Sequence, residues 1–215
     1  MSCVIWVAEI GSNHKGELAI AHEMIRQAAL ANADIAKFQF RDPDDPIRGL
    51  AIRNPSQLAS WCEYYGIQLM ASIFSFEALE VARKLGMPRL KIAHSIGKDN
   101  PELCNAIAEG PEEVFISHGD YRLDNWHSLF VVPRYPTYPD ELVIPEKFDD
   151  KWFGYSSHFY GYADSLIAVA RGAQYIEKHV TLDKAEESIK DNFFALSFDE
   201  FGAMVSIGSE MARLV

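Results

Sequence analysis

Short apolar segments alternate with amphipathic segments along almost the whole 215-residue chain. The apolar segments, at 3–10, 33–40, 67–74, 89–95, 113–118, 129–135, 152–158 and 174–181, are rich in Val, Ile and Phe and bounded by Gly, Asn, Asp or Pro, which predicts strands. Helices are predicted at 17–31, 55–65, 76–85, 101–108, 162–171 and 198–213. The first of these carries Leu18, Ala21, Ile25, Ala28 and Ala29 at helical spacing. Ser75 and Ser197 stand where N-caps are needed. A strand–helix repeat forces parallel strands joined by crossovers, and the count of eight favours a closed barrel over an open doubly wound sheet. The predicted fold is therefore a (β/α)8 TIM barrel. Such barrels typically need about 250 residues, so this one is trimmed. Reduced helices are expected after strand 5, where 121–128 is too short for a crossover helix, and after strand 6, where 139–150 holds at most two turns. The expected organisation is a single domain over residues 1–215.

Bulk properties narrow the function classes. No apolar run reaches the ~18 residues needed to cross a bilayer, and no basic segment precedes the apolar start MSCVIWVAEIG. Cys3, Cys62 and Cys104 are odd in number and lack CxxC spacing, which suits neither a disulfide framework nor a zinc ribbon. A reducing cytoplasm is the expected location. A net charge of −11 argues against a nucleic-acid partner. It does not argue against a small anionic substrate, which a few local lysines can hold.

Active sites of such barrels lie at the C-terminal ends of the strands. The residues there are Glu9 on strand 1, Lys37 and Gln39 on strand 2, Lys91 and then His94 and Ser95 on strand 4, Ser117 and His118 on strand 5, Arg134 and Tyr135 on strand 6, Ser156 and His158 on strand 7, and Glu177 and His179 on strand 8. Residues two apart share a face, so Lys178 should point toward the helices. Buried charges are costly unless paired or ligated. One reading is an internal salt-bridge layer of Lys37 and Lys91 against Glu9 and Glu177, which leaves the histidines and serines unexplained. His158 and His179 end neighbouring strands, and two imidazoles with carboxylates nearby suit Mn, Fe, Co or Zn. Lys37 and Lys91 could hold an anion, with Ser117 and Ser156 donating hydrogen bonds to it. His14, His22 and His127 fit local structural roles, whereas His94 and His118 fall near the rim.

At these residues the chain resembles the sialic acid synthase family. AEIGSNHKG at 8–16 and ADIAKFQ at 33–39 match its opening pattern. LKIA at 90–93, FISHG at 115–119, RYPTYP at 134–139, GYSSH at 154–158, IEKHVTLD at 176–183 and DNFFALSFDEF at 191–201 follow in family order. The first block and IEKHVTLD are the specific ones. The resemblance implies condensation of phosphoenolpyruvate with an amino-sugar aldehyde such as N-acetylmannosamine, giving a 2-keto sugar acid and phosphate. It implies a divalent metal, Mn, on His158 and His179. It implies donor-anion binding by Lys37, Lys91, Ser117 and Ser156, and polar groups near the metal or the acceptor at Glu9, Gln39, Tyr135, Glu177 and Asp191.

The chain departs from the family pattern at several points. The Ser-x-Glu expected after LKIA reads His94, Ser95 and Ile96. Pro133 replaces an Asn, Ser157 replaces the Asp before the first metal histidine, and Ile189-Lys190 replaces Gly-Pro. The loop after the second strand is short, and no C-terminal antifreeze-like domain is expected. Metal and donor binding are thus better kept than acceptor recognition or catalysis. Besides the condensing enzyme, two readings stay open: a catalytically degenerate barrel serving as a binding or scaffold protein, and a metal-dependent pyruvate aldolase. Apolar flank exposed by the trimmed connections would favour a homo-oligomer.

Overall fold

A computed structural model describes residues 4–117, 123, 126–186 and 188–214. The chain runs β1 (Ile5–Gly11), α1 (Leu18–Leu30), β2 (Ile35–Phe40), α2 (Leu50–Arg53), α3 (Pro55–Tyr65), β3 (Gln68–Ile73) and α4 (Phe76–Lys84). It continues through β4 (Arg89–Ile92), α5 (His94–Asp99), α6 (Pro101–Ala108), β5 (Glu113–Ser117), β6 (Trp126–Phe130), β7 (Gly154–Ser157) and α7 (Ala163–Ala170). It ends with β8 (Tyr175–Thr181), β9 (Leu196–Ser197) and α8 (Phe198–Met211). Strands β1 to β8 are parallel neighbours in sequence order, and β1 also pairs with β8, so the sheet closes into a TIM barrel. Strand β9 only extends β8, pairing Leu196 with Val180.

The parity of each strand sorts its side chains into two cores. Val7, Ile35, Met70, Phe115, Leu129 and Tyr175 point inward and form a plug in the lower barrel. Trp6, Ile10, Phe38, Phe40, Ile73, Ile92 and Ile176 point outward, against Met24, Ile25, Leu58, Leu79, Leu103 and Phe201 on the helices. Each such side chain, fully buried, contributes about 1.5–3 kcal/mol. Two residues beyond the plug, the inward positions turn polar: Val7 is followed by Glu9, Ile35 by Lys37, Met70 by Ser72, Phe115 by Ser117 and Tyr175 by Glu177. The plug is thus the floor on which the polar rim stands.

Ser75 and Ser197 cap α4 and α8, accepting from the Ala78 and Glu200 amides. The connection after β6 is reduced as expected, whereas most of the segment after β5 lies outside the described residues. Between β6 and β7 the described helical structure is one 3₁₀ turn, Pro139–Glu141. No helix among the described residues is long and apolar enough to cross a membrane.

Three expectations are corrected. Strand 6 lies at Trp126–Phe130 rather than 129–135. The polar pair His127 and Ser128 disguised its start, but His127 sits inside the lower barrel, bonded to Glu113 at 2.9 Å and packed on Phe153 at 4.1 Å. Arg134 and Tyr135 therefore lie on the loop after the strand, and Arg134 pairs with Glu141 at the surface instead of facing the barrel mouth. Strand 4 stops at Ile92, because His94 and Ser95 open the short helix α5. Cys3 and His118 lie outside the described residues.

The seam between β7 and β8 rests on Gly154, which pairs opposite Leu129. A Cβ there would lie 2.3 Å from the Tyr175 carbonyl oxygen. Gly154→Ala should therefore force β7 and β8 apart, at a cost of about 1–3 kcal/mol or more. The expected result is a lower urea midpoint, with an accompanying loss of the Ser156–Glu177 contact described below. An unchanged midpoint would show that the seam is compliant.

Candidate active site at the strand C-termini

A cavity of about 430 Å³ opens at the C-terminal end of the barrel. Every candidate residue lines it: Glu9, Lys37, Gln39, Lys91, Ser117, Tyr135, Ser156, His158, Glu177, His179 and Asp191. Most arrive by strand parity. Register sets Glu9 beside Lys37 on one side and beside His179 on the other. It also sets Ser156 beside Glu177 and Ser72 beside Lys91. Tyr135 and Asp191 reach the mouth from loops, where Tyr135 packs on the His158 ring at 4.0 Å.

The two rim lysines are not equivalent. Lys37 Nζ lies 2.5 Å from Glu9 Oε2 and 3.5 Å from Glu177 Oε1, and donates to Ser72 Oγ at 2.9 Å. Burial alone would lower its pKa, but the Glu177 and Glu9 carboxylates outweigh burial and raise it. Glu177 is held below the usual carboxylate range. Burial opposes this, and Lys37, Lys91 and the Tyr175 and Ser156 hydroxyls overcome it. Lys91 has no carboxylate partner among the described residues. It donates to Ser117 Oγ at 2.5 Å and to the Ile92 carbonyl at 3.1 Å. Burial, only partly offset by Glu177, and the nearby Lys37 charge bring it down to about 8. The salt-bridge layer is therefore half built. Lys37 is satisfied by two carboxylates, while Lys91 meets none among the described residues. Ser117 accepts from Lys91, and its own proton has no acceptor among the described residues. Ser156 instead donates to Glu177 at 2.9 Å, so its proton is already committed.

The histidines stand together, ring centroids 5.9 Å apart. His158 donates from Nδ1 to the Val132 carbonyl at 3.2 Å, which leaves Nε2 as the lone-pair nitrogen. Burial, then His179, lower its pKa to about 3, so it is a neutral imidazole. His179 Nδ1 is buried without a hydrogen-bond partner among the described residues. Beside it Gly11 has φ +55°, and a Cβ there would press on Glu9 Oε1 and His179 Cε1, both at 3.3 Å. A neutral imidazole with a fixed tautomer and a second with an orphaned buried nitrogen fit a divalent cation. Among the described residues no three His, Cys, Asp or Glu side chains converge as a ligand set. The protein would thus supply two imidazoles, with water or substrate oxygens completing the shell.

Arg41, Ser72 and Phe74 also line the cavity without having been singled out, and His94, expected near the rim, lines it too. Arg41 was legible, because it continues the inward series Lys37, Gln39. It donates to Gln39 Oε1 at 2.7 Å and lies 3.8 Å over the Phe74 ring. Lys178, as expected, faces away from the cavity.

The state of Lys91 gives a pH dependence. Only its ammonium attracts an anion, so affinity is full below about pH 8 and falls above it. Binding of sulfate, whose charge is constant over this range, should weaken by about tenfold per pH unit above pH 9. Lys91→Gln should bind weakly and without that slope. Calorimetric titration across pH 6.5–10 checks this, and a flat profile for the unmutated protein contradicts it.

The NeuB family model matches residues 49–132 and 134–214. The chain is 30% identical over 223 residues to human N-acetylneuraminate-9-phosphate synthase, covering 83% of this chain and 62% of that one. It is 29% identical over 249 residues to a pseudaminic acid synthase of Campylobacter jejuni, covering 94% and 72%. It thus spans less than two thirds of the length of the human relative. A solved sialic acid synthetase of Leptospira borgpetersenii superposes with a TM-score of 0.82 at 25% identity, over 99% of this chain and 85% of that one. A Thermotoga maritima DAHP synthase, at TM-score 0.69 and 14% identity, shares the fold. With the family model matched over most of its length and the same barrel found in a solved synthetase, the chain belongs to the NeuB family.

Proposed function

We propose that the chain condenses phosphoenolpyruvate with an amino-sugar aldehyde, forming a 2-keto sugar acid and releasing phosphate. The observation that carries this reading is the buried Lys91 ammonium, which meets no carboxylate among the described residues and is set among serines on the floor of a cavity that also holds the His158 and His179 imidazoles. In an acidic protein, such a cation suits a small polyanion. The names of the synthase relatives point to the same chemistry.

In this reading, Lys91 and Ser117 grip the donor anion, and Ser72 and Ser156 flank it. Lys37, neutralised by Glu9 and Glu177, stiffens the floor beneath. Fixed partners of this kind hold the donor so that its C3 faces the acceptor. C3 forms the new bond to the aldehyde carbon, and the aldehyde oxygen becomes a hydroxyl. Water adds at the former C2, and cleavage of the bond from that carbon to the phosphate oxygen leaves the ketone and inorganic phosphate. Tyr135 can donate a hydrogen bond to an acceptor oxygen, since burial and then Asp191, Glu177 and Glu9 raise it to about 12 and keep it a phenol. Asp191 and Gln39 face the same mouth. A divalent metal, Mn by the family resemblance, would be held by His158 and His179 and would supply Lewis-acid polarisation of an oxygen.

One observation favours a second reading, a donor-binding barrel with little turnover. At the position of the expected glutamate, Ile96 packs against the outer core. Self-association would have exposed aromatic surface beside the mouth, at Tyr138, Tyr160 and Phe193.

Two measurements test the proposal. Calorimetric titration with phosphoenolpyruvate should show binding, and Lys91→Ala should weaken it by about 30- to 150-fold. Phosphate release should then depend on an added aldose from a panel of N-acylated amino sugars. Binding without release on any aldose would favour the second reading. No binding, with pyruvate consumed instead, would favour a pyruvate aldolase.

A further inference from the structure

The outward face of β7 and β8 should be wholly apolar, because it packs on helix α7. Instead it carries Ser157 and Lys178, both buried, and α7 meets them with Asp164, also buried. Their hydrogen bonds close on one another. Ser157 donates to Asp164 Oδ2 at 2.5 Å and accepts from Lys178 Nζ at 2.9 Å and from the Phe159 amide at 3.2 Å. A hydroxyl has one proton and two lone pairs, and all three are used. Lys178 also donates to the Phe159 carbonyl. Tyr155 donates to the same carboxylate oxygen at 2.8 Å. Asp164 lies in the first turn of α7, where a negative charge is stabilised.

The network has a mechanical consequence for the site. Phe159 follows His158 directly, and both of its backbone polar groups are tied down, the amide by Ser157 and the carbonyl by Lys178. The His158 carbonyl is held as well, accepting from the Thr137 amide at 3.0 Å. With its Nδ1 spent on Val132, the His158 ring has little freedom left. The charge logic is equally direct. A buried ammonium needs a counter-charge, and a carboxylate at position 157 would meet Lys178 directly. This chain has serine there, so the charge has to come from elsewhere.

We infer that Asp164 is a positioning residue for His158, supplying from α7, through Ser157, the negative charge that this chain lacks at position 157. The carboxylate has moved seven positions along the sequence, with the serine as its bridge. The inference rests on the reading of His158 as a metal ligand only for one of its two tests.

The first test needs no metal. In protein labelled with ¹⁵N-histidine, long-range ¹H–¹⁵N spectra report the His158 tautomer. The unmutated protein should show a single Nδ1–H form. Asp164→Ala should show a mixed or exchange-broadened signal, and Ser157→Asp added to Asp164→Ala should restore the single form. Ser157→Ala added instead should not. The second test is calorimetric titration with Mn²⁺. Asp164→Ala should bind about 10- to 100-fold more weakly, and the Ser157→Asp double variant should recover most of that loss. If Asp164→Ala does not fold, Asp164→Asn, which keeps the shape and removes the charge, replaces it in both tests. An unchanged His158 signal in the charge-deleted variant overturns the inference, as does a loss that relocating the carboxylate does not repair. If the unmutated protein binds no Mn²⁺ while the tautomer series behaves as stated, the metal reading fails and the positioning role stands.

Discussion

Lys37 sits between two carboxylates at the point where the barrel closes. Glu9 comes from β1 and Glu177 from β8, the two strands whose pairing seals the sheet, and Lys37 comes from β2 on the far side of β1. The ammonium therefore ties three adjacent strands at one height, immediately above the apolar plug. A buried ion set of this kind is a poor source of net stability, since desolvation offsets much of the attraction. Breaking it by removing one partner typically costs about 3–5 kcal/mol. Its service is positional: with the seam fixed, the rim above it has one geometry.

Neutralising Lys37 also leaves the cavity with a defined electrostatic sign where it matters. Two carboxylates are consumed by one lysine, and among the described residues the second lysine meets only a hydroxyl and a carbonyl. That leaves a local excess of attraction for an anion inside a protein whose formal net charge is −11. Across the cavity, His158 is presented as a neutral ring, with the His179 ring beside it. The supports of His158 lie on opposite sides of the barrel wall: the Val132 carbonyl and the Tyr135 ring inside, and the Asp164, Ser157 and Lys178 network outside.

How well each part could be read from the chain depended on how local its cause was. The eight strands, the six long helices and the caps at Ser75 and Ser197 follow from period and from residues adjacent in sequence. Strand 6 was displaced because His127 and Ser128 look like loop residues until Glu113 and Phe153 are seen to receive them. The short helices α2 and α5 lacked enough turns to show a period. Arg41 could have been found by extending the inward series one step further along β2.

The sequence alone determined which side chains face inward, because alternation is a property of the extended backbone itself. From that parity and the family motifs, all the candidate residues were identified, and all of them line one cavity. Partnership was decided only by the tertiary structure. Nothing in the blocks around Lys37 and Lys91 says that one is doubly paired while the other meets no carboxylate among the described residues, or that Ser156 spends its proton on Glu177. Nor does anything there say that Asp164 answers for Ser157. Such pairings join groups on separate strands and helices, and they depend on the register between neighbours and on the closure of β1 against β8. Those are set by the packing of the whole barrel, and no local window of the chain contains them.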